Sequence, residues 1–201
     1  MFTLVQKPFA DEDPQELAVK GALAKIAFYL KGEFQVVAPA FLEILMKDAS
    51  IEVKVVTGDG ALPAAEEKGR AVFDLKLRGM EDAARFSLNT GELEQKLAAF
   101  EHIMNVASAM GRSFEPYIST VLPVLLSHMN DASRTLRKSA LKTFQHLLTA
   151  QGEPTNVALF SQIYQHFAMY ILKANKDSDV KELKLLFKEL YKCMKVISEN
   201  E

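Results

Sequence analysis

The side chains best suited to hold a metal or move a proton are His102, His128, His146, His166 and Cys193. A protein-bound zinc is held by Cys and His at short, regular spacings. No two of these residues stand at such a spacing, so each histidine reads as a structural or solvent-facing group. Cys193, beside Met194, reads as a small hydrophobe. Gly58-Asp59-Gly60 is a turn rather than a phosphate-cradling loop. No nucleophile elbow or triad pattern is present. These residues imply no catalysis, no metal and no cofactor.

The remaining candidates are charges. Lys181, Lys184, Lys188, Lys192 and Lys195 fall on one helical stripe, a basic patch that suits an acidic partner. Glu182 and Glu189 flank and dilute it, as on a solvated outer face. Asp11-Glu12-Asp13 with Glu16 fits the electrostatics of a helix start. A net charge of −2 gives no reason to expect nucleic acid or a membrane as partner. One cysteine excludes a disulfide within the chain. No apolar run reaches the roughly 20 residues of a membrane-spanning helix.

The elements that carry these residues are helices in pairs. Asp-Ala-Ser occurs at 48–50 and at 131–133, each time after an aliphatic helix entered through Gly and Phe. The first copy runs from Gly32-Glu33-Phe34, the second from Gly111-Arg112-Ser113-Phe114, and a weaker third ends at Asp177-Ser178-Asp179. Internal repeats of helix pairs predict a solenoid. The first helix opens at Asp13-Pro14, buries Val19, Leu23, Ile26 and Leu30, and ends at Gly32; its partner runs from Phe34 to Lys47. The pairs span 14–48, 89–129 and 131–174, and an unpaired last helix spans 179–198. Leu93, Leu97, Phe100, Met104 and Ala107 make one apolar stripe. The last helix carries Leu183, Leu186, Phe187, Leu190, Met194 and Ile197 with nothing after it to cover them. The chain, a single array over 1–201, is therefore expected to be a fragment of a longer one.

Residues 49–88 interrupt the array. Ile51-Glu52-Val53-Lys54-Val55 and Phe73-Asp74-Leu75-Lys76-Leu77 alternate apolar and polar residues, the signature of strands. Thr57 to Pro63 between them is turn chemistry. A two-stranded β-hairpin or an irregular insertion both fit.

Leu125 to Ala140, with Asp131 in the turn and Arg137 six residues on, resembles a HEAT repeat. Lys176-Asp177-Ser178-Asp179-Val180-Lys181 is a looser match. The resemblance implies an all-α HEAT-repeat solenoid of about three and a half helix pairs, with Asp131, Arg137 and Asp177 forming a structural ladder. The order and spacing of further segments resemble the importin-β (karyopherin-β) family, in its importin β-3 or Ran-binding protein 5 subtype. These are Gly32-Glu33-Phe34-Gln35, Leu45 to Ile51, Phe86 to Lys96 and Phe114-Glu115-Pro116-Tyr117. The likeness covers most of 16–148 and corresponds to part of the later half of such a receptor. The long acidic run of that subtype's insertion is missing here.

That resemblance implies a nuclear transport receptor of cytoplasm, nucleus and nuclear pore. Its partners are the GTPase Ran in its GTP form, protein cargo with basic nuclear localisation signals, and phenylalanine-glycine nucleoporins. The second helices would line the concave side that binds partners. The candidates there are Glu115, Ser119 and His128, left exposed by an apolar face of Phe114, Ile118, Val121, Leu122 and Leu125, and then Gln162, Gln165 and Met169. Phe73, Asp74, Glu81 and Asp82 are the candidate contacts of the insertion. The alternative is a HEAT scaffold for protein-complex assembly unrelated to nuclear transport.

Overall fold

The computed structural model describes residues 14–52, 55–58, 70–75, 84–131, 133–152, 156–174 and 180–199. Among the described residues seven α-helices carry the architecture: α1 (Pro14–Leu30), α2 (Ala38–Ala49), α3 (Thr90–Met110), α4 (Ile118–Ser127), α5 (Arg134–Gln151), α6 (Asn156–Ala174) and α7 (Val180–Ser198). α1 packs on α3, α3 on α5 and α5 on α7, so the first helices of the pairs form one row. α2, α4 and α6 form the second row, with α2 against α3, α4 against α5, and α6 against both α5 and α7. Each helix thus covers its neighbours' apolar faces, which is how a solenoid builds a continuous core from units too small to have one.

The apolar stripes lie slightly off their expected positions. On α1 the buried face is Lys20, Leu23, Ala24 and Ala27, while Leu30 is exposed. The two alanines place α1 close against α3 without a bulky side chain between them. On α3 the buried set widens to Ala99, Phe100, Ile103, Val106, Ala107 and Met110. Leu93, Leu97 and Met104 lie only half-buried at its margins. A first helix in mid-row is covered from several sides and needs more than one stripe.

The join within each of the first two pairs is tighter than a plain turn. The second helices do not begin at Phe34 and Phe114. Those residues sit in 3₁₀ segments, Lys31–Val36 and Gly111–Tyr117, that precede α2 and α4. Both Phe side chains are fully buried. A 3₁₀ turn advances about 2 Å per residue with three residues per turn, so it aims the aromatic back into the core before the α-helix starts.

The residue just past the first helix is in the left-handed region in all three pairs: Lys31 at φ 49°, Gly111 at φ 55° and Gly152 at φ 65°. This corrects the expectation that Gly32 stops the first helix. Helices commonly end through such a residue, and glycine takes it without the Cβ clash that other residues suffer. Lys31 is the exception of the three. Lys31→Gly is therefore expected to stabilise the fold by about 0.5–1 kcal/mol. Gly111→Ala is expected to destabilise it by about 1 kcal/mol, although the added methyl would meet nothing within 4 Å. Urea midpoints of the two variants, at unchanged slope, check both signs.

The insertion holds a small antiparallel sheet: β1 (Val55–Gly58), β2 (Arg70–Leu75) and β3 (Ala84–Asn89), ordered β1-β3-β2. The two expected strands therefore do not pair with each other. Val55 opposes Leu88 and Arg70 opposes Asn89, so β3 is the shared centre. An isolated two-stranded ribbon is marginal in water, and a central strand with two ladders is the more stable solution. β3 runs directly into α3 at Thr90.

Candidate partner face and the ladder behind it

The turns that end the second helices are held by polar groups from the first-helix row. At the first junction, Lys20 of α1 donates to an Asp48 carboxylate oxygen at the end of α2 and to Glu16 Oε1 at 2.5 Å. Gln95 Nε2 of α3 donates to the other Asp48 oxygen at 2.9 Å. Lys20 and Asp48 are 3% and 5% exposed, so this is a buried ion pair with its lone pairs supplied. Lys96, also buried, donates to the Ile51 carbonyl at 2.9 Å and lies 3.9 Å from an Asp131 carboxylate oxygen.

At the second junction the pattern recurs. Arg137 of α5 donates to the backbone carbonyl of Asp131. The Asp131 carboxylate accepts from Ser133 N–H at 2.8 Å, and Ser133 Oγ accepts from Leu136 N–H at 3.4 Å to cap α5. Lys96 and Arg137 each lie 15 residues before the left-handed glycine that follows their helix, Gly111 and Gly152. Each donates to a carbonyl in the preceding second-helix turn. The Arg137 rung therefore uses backbone rather than the Asp131 carboxylate. Asp177 lies outside the described residues. Arg137 also sits over the Tyr170 ring, 5.9 Å from its centroid.

From the sequence, Asp48 stands out only as the start of the first Asp-Ala-Ser copy, and Lys20, Gln95 and Lys96 are not among the candidate site residues. One signal was available: Lys20 lies in register with Leu23, Ala24 and Ala27, and Lys96 with Ala99, Phe100 and Ile103. A charge on an apolar stripe must find a buried partner.

The ladder and the core leave the outward face of the second row open. Glu115, Ser119, Gln162, Gln165 and Met169 are exposed there. His128 is not: it is half-buried, its Nδ1 is 2.7 Å from the Val124 carbonyl, and its ring meets Phe100 edge-on at 5.0 Å. Of the insertion candidates, Phe73 and Asp74 lie in β2, opposite Phe86 and Arg85 of β3. Glu81 and Asp82 lie outside the described residues. On α7, Lys184 and Lys188 are exposed, Lys192 turns onto the buried Glu189 at 2.9 Å, and Lys195 pairs with Glu199 at 3.1 Å. Lys181 lies within α7, but its side chain is outside the description. The stripe therefore presents fewer free cations than its spacing suggests. Among the described residues no group of His, Cys, Asp and Glu is placed to hold a metal, and no helix is long and apolar enough to cross a membrane.

Three histidines sit at helix–helix joins. His102 of α3 approaches Gly21 of α1 and has a buried Nδ1 without a partner. Burial holds its pKa below the ordinary 6.5, opposed by Glu101 and aided by Lys20. Burial does the same at His128, opposed by the Val124 carbonyl, and at His146, aided by Lys192. A group whose folded pKa is depressed in this sense takes up a proton more readily when unfolded. Stability is then full above pH 6.5 and declines as pH falls through that value toward the folded pKa values. Denaturant midpoints at pH 7.5 and 5.5 should show this loss, and replacing all three histidines by Gln should flatten it. Cys193 faces the core, where burial, aided by Glu189, pushes its thiol up to about 12, so it is inert as a nucleophile.

Stacked helix pairs, the first two joined by tight 3₁₀ turns, with a basic–carbonyl ladder at the two junctions described, define a HEAT-repeat α-solenoid. No protein-family model and no curated protein matches the sequence. Solved structures of the karyopherin Kap121p share the fold. The structure bound to Ste12p aligns with a TM-score of 0.75 at 15% identity, covering 93% of this chain. The structure bound to Nup53p aligns with the same values, and the one bound to RanGTP with a TM-score of 0.72 at 15% identity over 92% of this chain. This chain spans 18% of the length of each of those chains.

Proposed function

We propose that the chain acts as a segment of an importin-β-type nuclear transport receptor, of the importin β-3 subtype. The observation that carries this is the alignment of 92% of the chain with a karyopherin bound to RanGTP. The segment motifs from Gly32 to Tyr117, in family order, support the same reading. The second-helix face, with Glu115, Ser119, Gln162, Gln165 and Met169 exposed, is the surface for protein cargo with basic localisation signals. The insertion around Phe73 and Asp74 is the contact for Ran-GTP or cargo, and phenylalanine-glycine nucleoporins bind elsewhere on the array. Function is then binding without covalent chemistry. Cargo and Ran are coupled because each favours a different curvature of the array, and such coupling is reciprocal.

Immobilised chain should capture a carrier protein fused to a basic localisation signal, and added Ran-GTP should release it. Capture that Ran-GTP leaves unchanged would contradict the coupling. Absence of capture together with absence of Ran binding would favour an assembly scaffold instead.

A further inference from the structure

Lys96 reaches two successive inter-pair turns. It lies less than two turns into α3. Its ammonium donates to the Ile51 carbonyl at 2.9 Å, where the first pair gives way to the insertion. The same ammonium lies 3.9 Å from Asp131 Oδ2, in the turn after the second pair. The first contact is a hydrogen bond, and the second is too long to be one. The two acceptors alone would dictate the reverse. A carboxylate is the stronger acceptor for an ammonium, and Lys96 is only 5% exposed, so little water dilutes the difference.

The position of the Ile51 carbonyl is set from both sides. Ile51 N–H donates to the Asp48 carbonyl at 3.2 Å. β1 begins four residues later, with Val55 opposite Leu88 of β3, and β3 runs straight into α3. Both ends of the small sheet therefore meet at Lys96. Asp131 is tied to the next junction in the same way. Its N–H donates to the His128 carbonyl at 3.2 Å, its Oδ1 accepts from Ser133 N–H, and its carbonyl accepts from Arg137. A move of Asp131 carries the end of α4 and the start of α5 with it.

We propose that Lys96 is a two-position coupling between the insertion and the α4–α5 junction. With the sheet in place the ammonium stays on the Ile51 carbonyl. When the sheet is displaced, the ammonium passes to the Asp131 carboxylate and draws that junction toward α3. The step is short, about 1 Å from the present separation to a charge-assisted hydrogen bond. Small shifts of this kind are amplified where packed elements have two discrete arrangements. The inference goes beyond the transport reading, since it holds whatever the insertion meets and applies equally to an assembly scaffold. His128 is placed to report it. Its ring meets Phe100, one turn along α3 from Lys96. Burial chiefly lowers its pKa against the Val124 carbonyl, and then Lys96 lowers it and Asp131 raises it.

The test needs no partner. It compares the 201-residue chain with one lacking residues 56–84, both labelled with ¹³C-histidine. Arg85 opposes Gly58, so a direct Val55–Arg85 bond must close a gap of about 10 Å, and the root at Ile51 has to shift. The His128 ring resonance, identified by its loss in His128→Gln, should move on deletion. In a Lys96→Met background the same deletion should leave it in place. The second readout is Asp131→Asn, which keeps the acceptor for Ser133 N–H and removes the charge. Its fall in urea midpoint should be at least about twofold larger without the insertion, because Lys96 then has the carboxylate alone. With Lys96→Met the two falls should be equal. Two glycines inserted after Glu52 uncouple the root from the sheet without removing anything, and should move His128 in the same direction should the deletion not fold. A His128 resonance unmoved in a chain that keeps its helical spectrum would overturn the proposal. So would equal Asp131→Asn losses with and without the insertion, or a His128 shift that persists in Lys96→Met.

Discussion

Phe114→Ala is expected to cost about 3–5 kcal/mol of folding stability, the range for removing a large aromatic from a packed core. Phe114 is fully buried, lies in the 3₁₀ segment before α4, and meets the Tyr117 ring at 5.6 Å. Its surroundings come from several helices, so the cavity cannot close by the shift of one side chain. In a chain of this size the loss corresponds to a fall in melting temperature of about 6–20 °C. Phe34, at the same place in the first pair and edge-on to Phe41 at 6.1 Å, should behave alike. Leu at either position should recover part of the loss, because it refills part of the volume. A loss below about 1 kcal/mol for Phe114→Ala would mean that the 3₁₀ segments do not anchor the pairs.

Asp48→Ala comes next, with an expected loss of about 3 kcal/mol, at the low end for breaking a buried ion pair. The low end applies because Glu16 remains to share Lys20. The informative comparison is the double variant Lys20→Met with Asp48→Leu. It removes both charges and fills similar volume, so it should lie within about 1 kcal/mol of the unaltered protein. The expected non-additivity places the cost in the uncompensated charge rather than in lost attraction. Gln95 would then have no carboxylate to donate to, and a residual loss in the double variant measures that. Additive single losses would show that the Lys20–Asp48 pair is not the buried unit described above.

The helix pairs were legible in the sequence because their signals are local. The duplicated Asp-Ala-Ser marks the ends of two second helices, Ser133 caps α5 as its type suggests, and the periodicity of 156–174 gives α6 at its observed bounds. The 3₁₀ segments were not legible. Phe34 and Phe114 are apolar whether the backbone winds with three or 3.6 residues per turn, so periodicity cannot separate the two. The third strand was missed for a related reason. Arg85-Phe86-Ser87-Leu88 alternates and falls inside the insertion at 49–88, but it is short and lies directly against the helical pattern that opens at Thr90, so it does not read as a strand of its own. The ladder was half legible. The turn residue Asp131 stands out from its repeat, whereas the partners of Asp48 lie 28 and 47 residues away and only the fold brings them together. The second-helix face could be placed by its apolar complement, except at His128, whose short contact with the Val124 carbonyl turns it inward.

The measurement that tests the central claim most directly is a binding titration of the chain with Ran-GTP and with Ran-GDP, repeated after deletion of residues 56–84. A transport-receptor segment whose insertion takes part should bind the GTP form in preference to the GDP form, and the deletion should weaken that binding. Equal, poor binding of both forms, with and without the insertion, would contradict it.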